Sequence, residues 1–275
     1  MKNNLQVPNK ETLRIYYTLR VAVAMCFIGH GAFGIITKPI WYNYFAVFGI
    51  GHDLAKNLMP LVGSMDVLLG ICMIIYPIRI ITFWLIFWGA VTASLRPMSG
   101  EPFAEFIERA GNFGAPLALL LITGGFPKTF RELFLKIDAP VNLTERNWLQ
   151  LTGCLRVVIF LLLAGHGWLN LIEKKSLMNQ YASIGIGSPD LAAYSVGIVE
   201  IIAACSVLIR PIRPILFVLF IWKMGSELFY PKHELFEWVE RGGSYGTLLA
   251  LWFATEVSNE LVIKRWKWAP LEAKR

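Results

Sequence analysis

The sequence predicts an all-α fold, a polytopic membrane protein of eight transmembrane helices arranged as two parallel four-helix repeats. Three observations carry that expectation. Of the 275 residues, 56% are apolar and only 16% charged, and the mean hydropathy is +0.53, well away from the balance of soluble domains. The apolar residues gather in runs about as long as a bilayer is thick. The stretch from Arg20 to Lys38, RVAVAMCFIGHGAFGIITK, is echoed by Arg156 to Lys174, RVVIFLLLAGHGWLNLIEK. Both copies have Arg at the start, Gly-His-Gly in the outer part of the helix, and Lys at the end.

In chain order the apolar runs fall at 15–37, 58–77, 79–97, 111–126, 151–173, 191–210, 212–230 and 243–263. Most approach the roughly 20 residues that a bilayer requires. They are continuous rather than alternating, and backbone groups in lipid must be satisfied within their own segment, so each run reads as helix. The polar N-terminal segment leads into a helix too long for a signal-peptide core and without a small-residue cleavage site, which predicts that it stays as an anchor. Short Pro-containing links, Tyr76-Pro77-Ile78-Arg79 and Arg210-Pro211-Ile212-Arg213, force antiparallel hairpins on either side. None of the eight runs shows a mid-membrane break, which leaves transport without support.

Lys and Arg set the orientation. With this topology 17 of the 26 fall on the side of the termini and eight on the other, with Lys223 inside a helix. That imbalance places both termini in the cytoplasm. Trp41, Tyr42, Tyr44 and Trp238 on the outer side, and Trp148, Trp266 and Trp268 on the inner, read as interfacial belts. The net charge of +7 is spread over short loops with no continuous basic patch, which excludes nucleic acid as a partner; the expected partner is the lipid bilayer. Asn142-Leu-Thr144 matches a glycosylation sequon but falls on the cytoplasmic side, where that modification does not occur. Cys26, Cys72, Cys154 and Cys205 lie singly in apolar helices and read as small buried hydrophobes.

The echo extends through each half. Phe48-Gly-Ile-Gly51 is repeated by Ile184-Gly-Ile-Gly187, Asp66 by Glu200, Trp88 by Trp222 and Thr92 by Ser226, and EFIERAGNFG from Glu105 by EWVERGGSYG from Glu237. Residues 1–126 and 151–275 are therefore the two repeats. Residues 127–150 form a cytoplasmic linker that begins amphipathic, with Phe126, Phe130 and Phe134 among Lys128, Arg131 and Lys136. Four helices per half bring both copies into the membrane from the same side, which makes the repeats parallel.

These residues resemble the DoxX family, whose members carry an Arg-led first helix with a His-Gly pair, a Gly-rich first outer loop, an acidic residue in the second helix and a basic turn before the third. The likeness covers both halves apart from the tails and the linker. It implies a four-helix membrane bundle in a bacterial inner membrane, and some members are subunits of a thiosulfate:quinone oxidoreductase. The chain departs from the family pattern in having two copies, and in carrying Lys223 and Glu227 where its first half has Gly89 and Ala93.

Depth selects the candidate residues. His30 is ten residues from Arg20, about 15 Å of helix rise, and eight from Lys38, about 12 Å, so it lies just outside the midplane. Asp66, Thr92, Glu105, Glu108 and Arg109 reach the same outer half, as do His166, Glu200, Glu237 and Arg241 in the second copy. Intramembrane ionisable groups normally face the bundle interior and mark function. One reading is a site for a quinone or similar lipid-soluble molecule: His30 and His166 bond its carbonyl, Asp66 and Glu200 exchange protons, Arg109 and Arg241 anchor it or neutralise charge. The structural reading weighs more. Glu105 with Arg109, and Glu237 with Arg241, are spaced i,i+4 and suit helix stabilisation, as do Lys223 and Glu227. One His per bundle is short of a metal or haem ligand set.

Two functions follow. The first is a quinone-linked redox accessory subunit, its electrons supplied by a partner because no flavin, haem or iron–sulfur motif is visible. The alternative is a non-enzymatic binder of a lipid or small molecule, or an assembly partner of another membrane complex.

Overall fold

The structure is a computed structural model that describes residues 9–140, 143–229 and 235–256. Among these residues every regular element is helical, and strand-like pairing is confined to a bridge between Ile78 and Lys136. The first stretch contains α1 (Asn9–Ile35), α2 (Trp41–Ala46), α3 (His52–Ile75), α4 (Arg79–Met98), α5 (Ala104–Glu108) and α6 (Ala110–Ile122). After the linker come α7 (Glu145–Leu171), α8 (Lys175–Ser183), α9 (Pro189–Ile209), α10 (Arg213–Ser226), α11 (Leu235–Glu240) and α12, residues 242–256.

Five helices, α1, α3, α4, α7 and α9, are long and apolar enough to cross a membrane. The runs at 111–126 and 212–230 give shorter elements, α6 with 13 residues and α10 with 14, and α12 is described only as far as residue 256. The end of the run at 243–263, Trp266, Trp268 and Asn142 lie outside the described residues. The fourth run is not entered as one straight helix. Arg109 (φ −90°, ψ 18°) separates α5 from α6, and Arg241 occupies the turn between α11 and α12. The sequence shows no Pro or Gly at Arg109 to announce a break; the break is stabilised by what the arginine side chains reach inside the bundle.

The glycines of Gly-His-Gly have separate tasks. A Cβ on Gly29 would stand 2.3 Å from the Glu240 nitrogen, and one on Gly31 would stand 2.4 Å from the Gly63 oxygen. In α7 the same offsets recur: Gly165 faces the Glu108 nitrogen at 2.4 Å and Gly167 the Gly197 oxygen at 2.8 Å. The first glycine thus admits the broken helix of the other half, the second admits the next helix of its own half, and the histidine is held between. The two stretches consequently interlock, α1 against α11 and α7 against α5 and α6.

Where α1, α6, α7 and α12 converge, on the linker end, Ile15, Leu19, Leu119, Ile122, Leu155, Ile159, Leu248 and Ala254 are buried in one apolar core. The outward faces of α3, α4, α9 and α10 are apolar too, with Leu61, Leu68, Phe87, Val199, Ile202 and Val218 exposed; such faces suit hydrocarbon. Cys26 is buried, while Cys205 is exposed on α9 rather than packed as a core hydrophobe. The linker forms only a 3-10 turn, Phe130–Phe134, capped by Thr129. It is tied to the bundle by Ile137 N–H to the Pro77 carbonyl at 2.9 Å and by the Tyr16 hydroxyl to the Ile137 carbonyl at 2.8 Å. Phe126, Phe130 and Phe134 stay exposed.

Replacing Gly165 by Ala is expected to lower stability by about 1–3 kcal/mol, because neither backbone can retreat. Gly153→Ala, in the same helix with nothing within 4 Å of its Cβ, is expected to be neutral or stabilising by up to about 1 kcal/mol. Thermal unfolding in lipid nanodiscs distinguishes the two.

Candidate functional site

At the end of the bundle opposite the linker, α1 and α3 bring His30 Nδ1–H to Asp66 Oδ2 at 2.7 Å. α7 and α9 bring His166 Nδ1–H to Glu200 Oε2 at 2.5 Å. All four side chains are largely buried. The second pair is embedded more deeply in hydrogen bonds: Trp222 Nε1–H donates to Glu200 Oε1 at 3.1 Å, and Asn170 lies 3.3 Å from His166 Nδ1 while accepting from Tyr181. In the first half Asp66 Oδ1 and, at the position that echoes Trp222, Trp88 Nε1 are buried without a hydrogen-bond partner.

A second cluster lies between the halves. The Arg109 Nη1 donates to Glu105 Oε2 at 2.5 Å and to Glu108 Oε2 at 2.6 Å. The other oxygen of Glu108 accepts from Arg241 Nη1 at 2.5 Å, 133 positions away in sequence. Lys174 bonds to Glu105, and Lys38 Nζ lies 2.6 Å from Glu237 Oε1. The i,i+4 pairing expected of Glu105 with Arg109 is present, whereas Glu237 and Arg241 turn to partners in the first half. The breaks at Arg109 and Arg241 make this reach feasible. Lys223 Nζ is 3.8 Å from Glu227 Oε1, and Glu227 Oε2 is 3.8 Å from Arg241 Nε.

Beside His30 opens a cavity of about 240 Å3. His30, Trp88, Thr92, Arg109, Asn112 and Glu240 give it polar lining; Phe33, Trp41, Tyr44, Phe48, Val62 and Leu95 give it apolar walls. The Trp41 ring lies 4.7 Å from that of His30. The Tyr44 hydroxyl donates to Glu101 at 2.6 Å, and Glu101 also accepts from Arg96 at 3.1 Å. Burial raises the Tyr44 phenol above its ordinary pKa; Arg96 opposes the shift and the bond to Glu101 adds to it. Trp41 and Tyr44, which read as belt aromatics, are thus buried walls of a site. Glu240, Arg96 and Asn112 were not singled out in the sequence. Glu240 was legible as the second carboxylate of the Glu237-x-x-Glu240-Arg241 echo, but Arg96 and Asn112 carry no local signal.

In the second half Lys223 and Glu227, which take the positions of Gly89 and Ala93 in the echo, are buried, 1% and 5% exposed. Of the residues singled out in the sequence, His30, Thr92 and Arg109 line the cavity itself, with Asp66 directly behind His30. Glu105, Glu237 and Arg241 belong to the ionic cluster between the halves, and His166, Glu200, Lys223 and Glu227 form a packed second centre.

The long apolar helices and apolar outer faces define the class, a multi-pass, all-helical membrane protein. No family model, curated protein or solved structure matches the chain.

Exchanging Glu108 for Gln is expected to cost about 3–5 kcal/mol, since both buried guanidinium groups lose their common anion. Lys56→Gln, on the exposed start of α3, is expected to stay within about 0.5 kcal/mol. Denaturation midpoints of the two purified variants check this.

Proposed function

We propose that the protein binds a neutral, lipid-soluble molecule of the quinone class in the first-half cavity, as a redox accessory subunit of the DoxX type. What carries this reading is the balance of charge in that cavity. Arg96 and Arg109 are each held by carboxylates at 2.5–3.3 Å, and Lys38 by Glu237 at 2.6 Å. An anionic ligand would have to displace those partners, whereas an uncharged head group with polar substituents need not. The volume of about 240 Å3 is below the roughly 300–1,000 Å3 of sites that enclose a whole drug-sized ligand, which suits a ring whose tail stays in lipid. His30 hydrogen-bonds the head group, Asp66 behind it exchanges a proton with His30, and Arg109 is the positive end of the site.

The reading includes two parallel four-helix repeats, a bacterial inner membrane, cytoplasmic termini and a partner protein that supplies electrons. Recurrent bonds support the repeat: Arg20 reaches the carbonyls of Met73 and Ile74, and Arg156 those of Leu208 and Ile209. One observation favours a purely binding or assembly role instead. The ionic cluster between the halves closes on itself, as a structural device would.

Mass spectrometry of small molecules extracted from the gently purified protein is expected to find a quinone at about one per chain in the parent. Ala93→Phe, which fills the cavity, is expected to lose it with little change in unfolding temperature. Lys223→Ala combined with Glu227→Ala is expected to open the second centre and raise the ratio towards two. An empty parent would overturn the quinone reading and leave the assembly role.

A further inference from the structure

The two histidine–carboxylate centres differ by one methylene, and that difference has a chemical consequence. Glu200 satisfies both of its oxygens, one with His166 at 2.5 Å and the other with the Trp222 indole N–H at 3.1 Å. Asp66 and Trp88 take the same positions in the first half. Asp66 bonds His30 through Oδ2, while its Oδ1 and, at the position that echoes Trp222, the Trp88 indole N–H are each buried without a partner. A buried acceptor and a buried donor each cost free energy when left unmade. The second half shows that a carboxylate one methylene longer closes such a gap.

Resting on the quinone-class reading, we infer that the unmatched Asp66 oxygen and Trp88 N–H form a hydroxyl-recognising subsite, so the cavity prefers an aromatic hydroxyl, a quinol, over the corresponding quinone. A hydroxyl is both donor and acceptor: it gives its hydrogen to Asp66 Oδ1 and takes one from the Trp88 indole. A quinone carbonyl answers only the indole and sets its lone pairs against those of the carboxylate, which already accepts from His30. Trp88 lines the cavity, as does the His30 ring in front of Asp66. The aromatic walls Phe33, Trp41 and Tyr44 select a ring to carry the hydroxyl.

The test titrates the whole protein in nanodiscs, under anaerobic conditions, with decyl-benzoquinol, decyl-benzoquinone and 1-decanol, following tryptophan fluorescence. The parent is expected to bind the quinol about tenfold tighter than the quinone, the size of one well-made hydrogen bond to a charged group, and 1-decanol more weakly than either. Asp66→Glu supplies the missing methylene and is expected to abolish the preference while keeping or raising the unfolding temperature. Trp88→Phe keeps a ring but removes the indole donor that both forms use, and is expected to weaken both several-fold while the preference for the quinol, which rests on Asp66, remains. Equal binding of both forms by the parent, or a preference that survives Asp66→Glu, overturns the hydroxyl subsite alone. Equal binding of 1-decanol overturns its aromatic selectivity. Binding of neither ring compound overturns the quinone-class reading and this inference with it.

Discussion

Glu108 is the charge on which the assembly of the two halves depends. It is 1% exposed and sits between Arg109 of its own half and Arg241 of the other. A carboxylate at that depth is tolerable only with its charge matched and its lone pairs occupied, and the arginine fork supplies both conditions. To deliver the two guanidinium groups, the helices that carry them must bend at the arginine. To let those bends approach, α1 and α7 must have no side chain at Gly29 and Gly165. The glycines, the breaks and the ionic cluster are therefore one arrangement, and none of its parts is interpretable alone.

Around this near-symmetric centre the two histidine–carboxylate pairs have taken different courses. In the second half a longer acid, an indole, an asparagine and a tyrosine close the hydrogen bonds, and a lysine–glutamate pair is buried as well. Lys223 is an expensive filler: its ammonium is buried without a hydrogen bond, and its nearest carboxylate oxygen is 3.8 Å away. In the first half Gly89 lets α4 approach the backbone of Asn112 in α6, Ala93 lines the cavity, and the shorter acid keeps one oxygen without a partner. One centre has its hydrogen bonds closed; the other adjoins a cavity.

The helical class and the apolar runs were legible because they are properties of periodicity and length. That His30 and Asp66, and His166 and Glu200, share the outer half of the bundle followed from depth along each helix, which a rise of about 1.5 Å per residue converts directly into position; which side chains would meet there did not. The partners of Glu237 and Arg241 were not legible. Spacing of four residues favours a local ion pair, and only the interlocking of α1 with α11 brings Lys38 and Glu108 into closer reach. The belt reading of Trp41 and Tyr44 was misled in the same way. An aromatic near a membrane boundary has the same sequence context whether it faces head groups or a cavity, and the choice is made by how α2 folds back over α3 and α4. The break at Arg109 was invisible because it originates in the buried carboxylates that the side chain serves.

The distance along the chain between charge partners has a consequence for synthesis. Lys38 and Glu237 are 199 residues apart, and Glu108 and Arg241 are 133 apart. At roughly 5–20 residues per second, Lys38 waits on the order of ten to forty seconds before its partner emerges from the ribosome. During that interval Lys38 and Glu108 lack the late partners that Glu237 and Arg241 supply, and water has to stand in for them. The charge pairs between the two ends of the chain are thus the last to be completed as it is made.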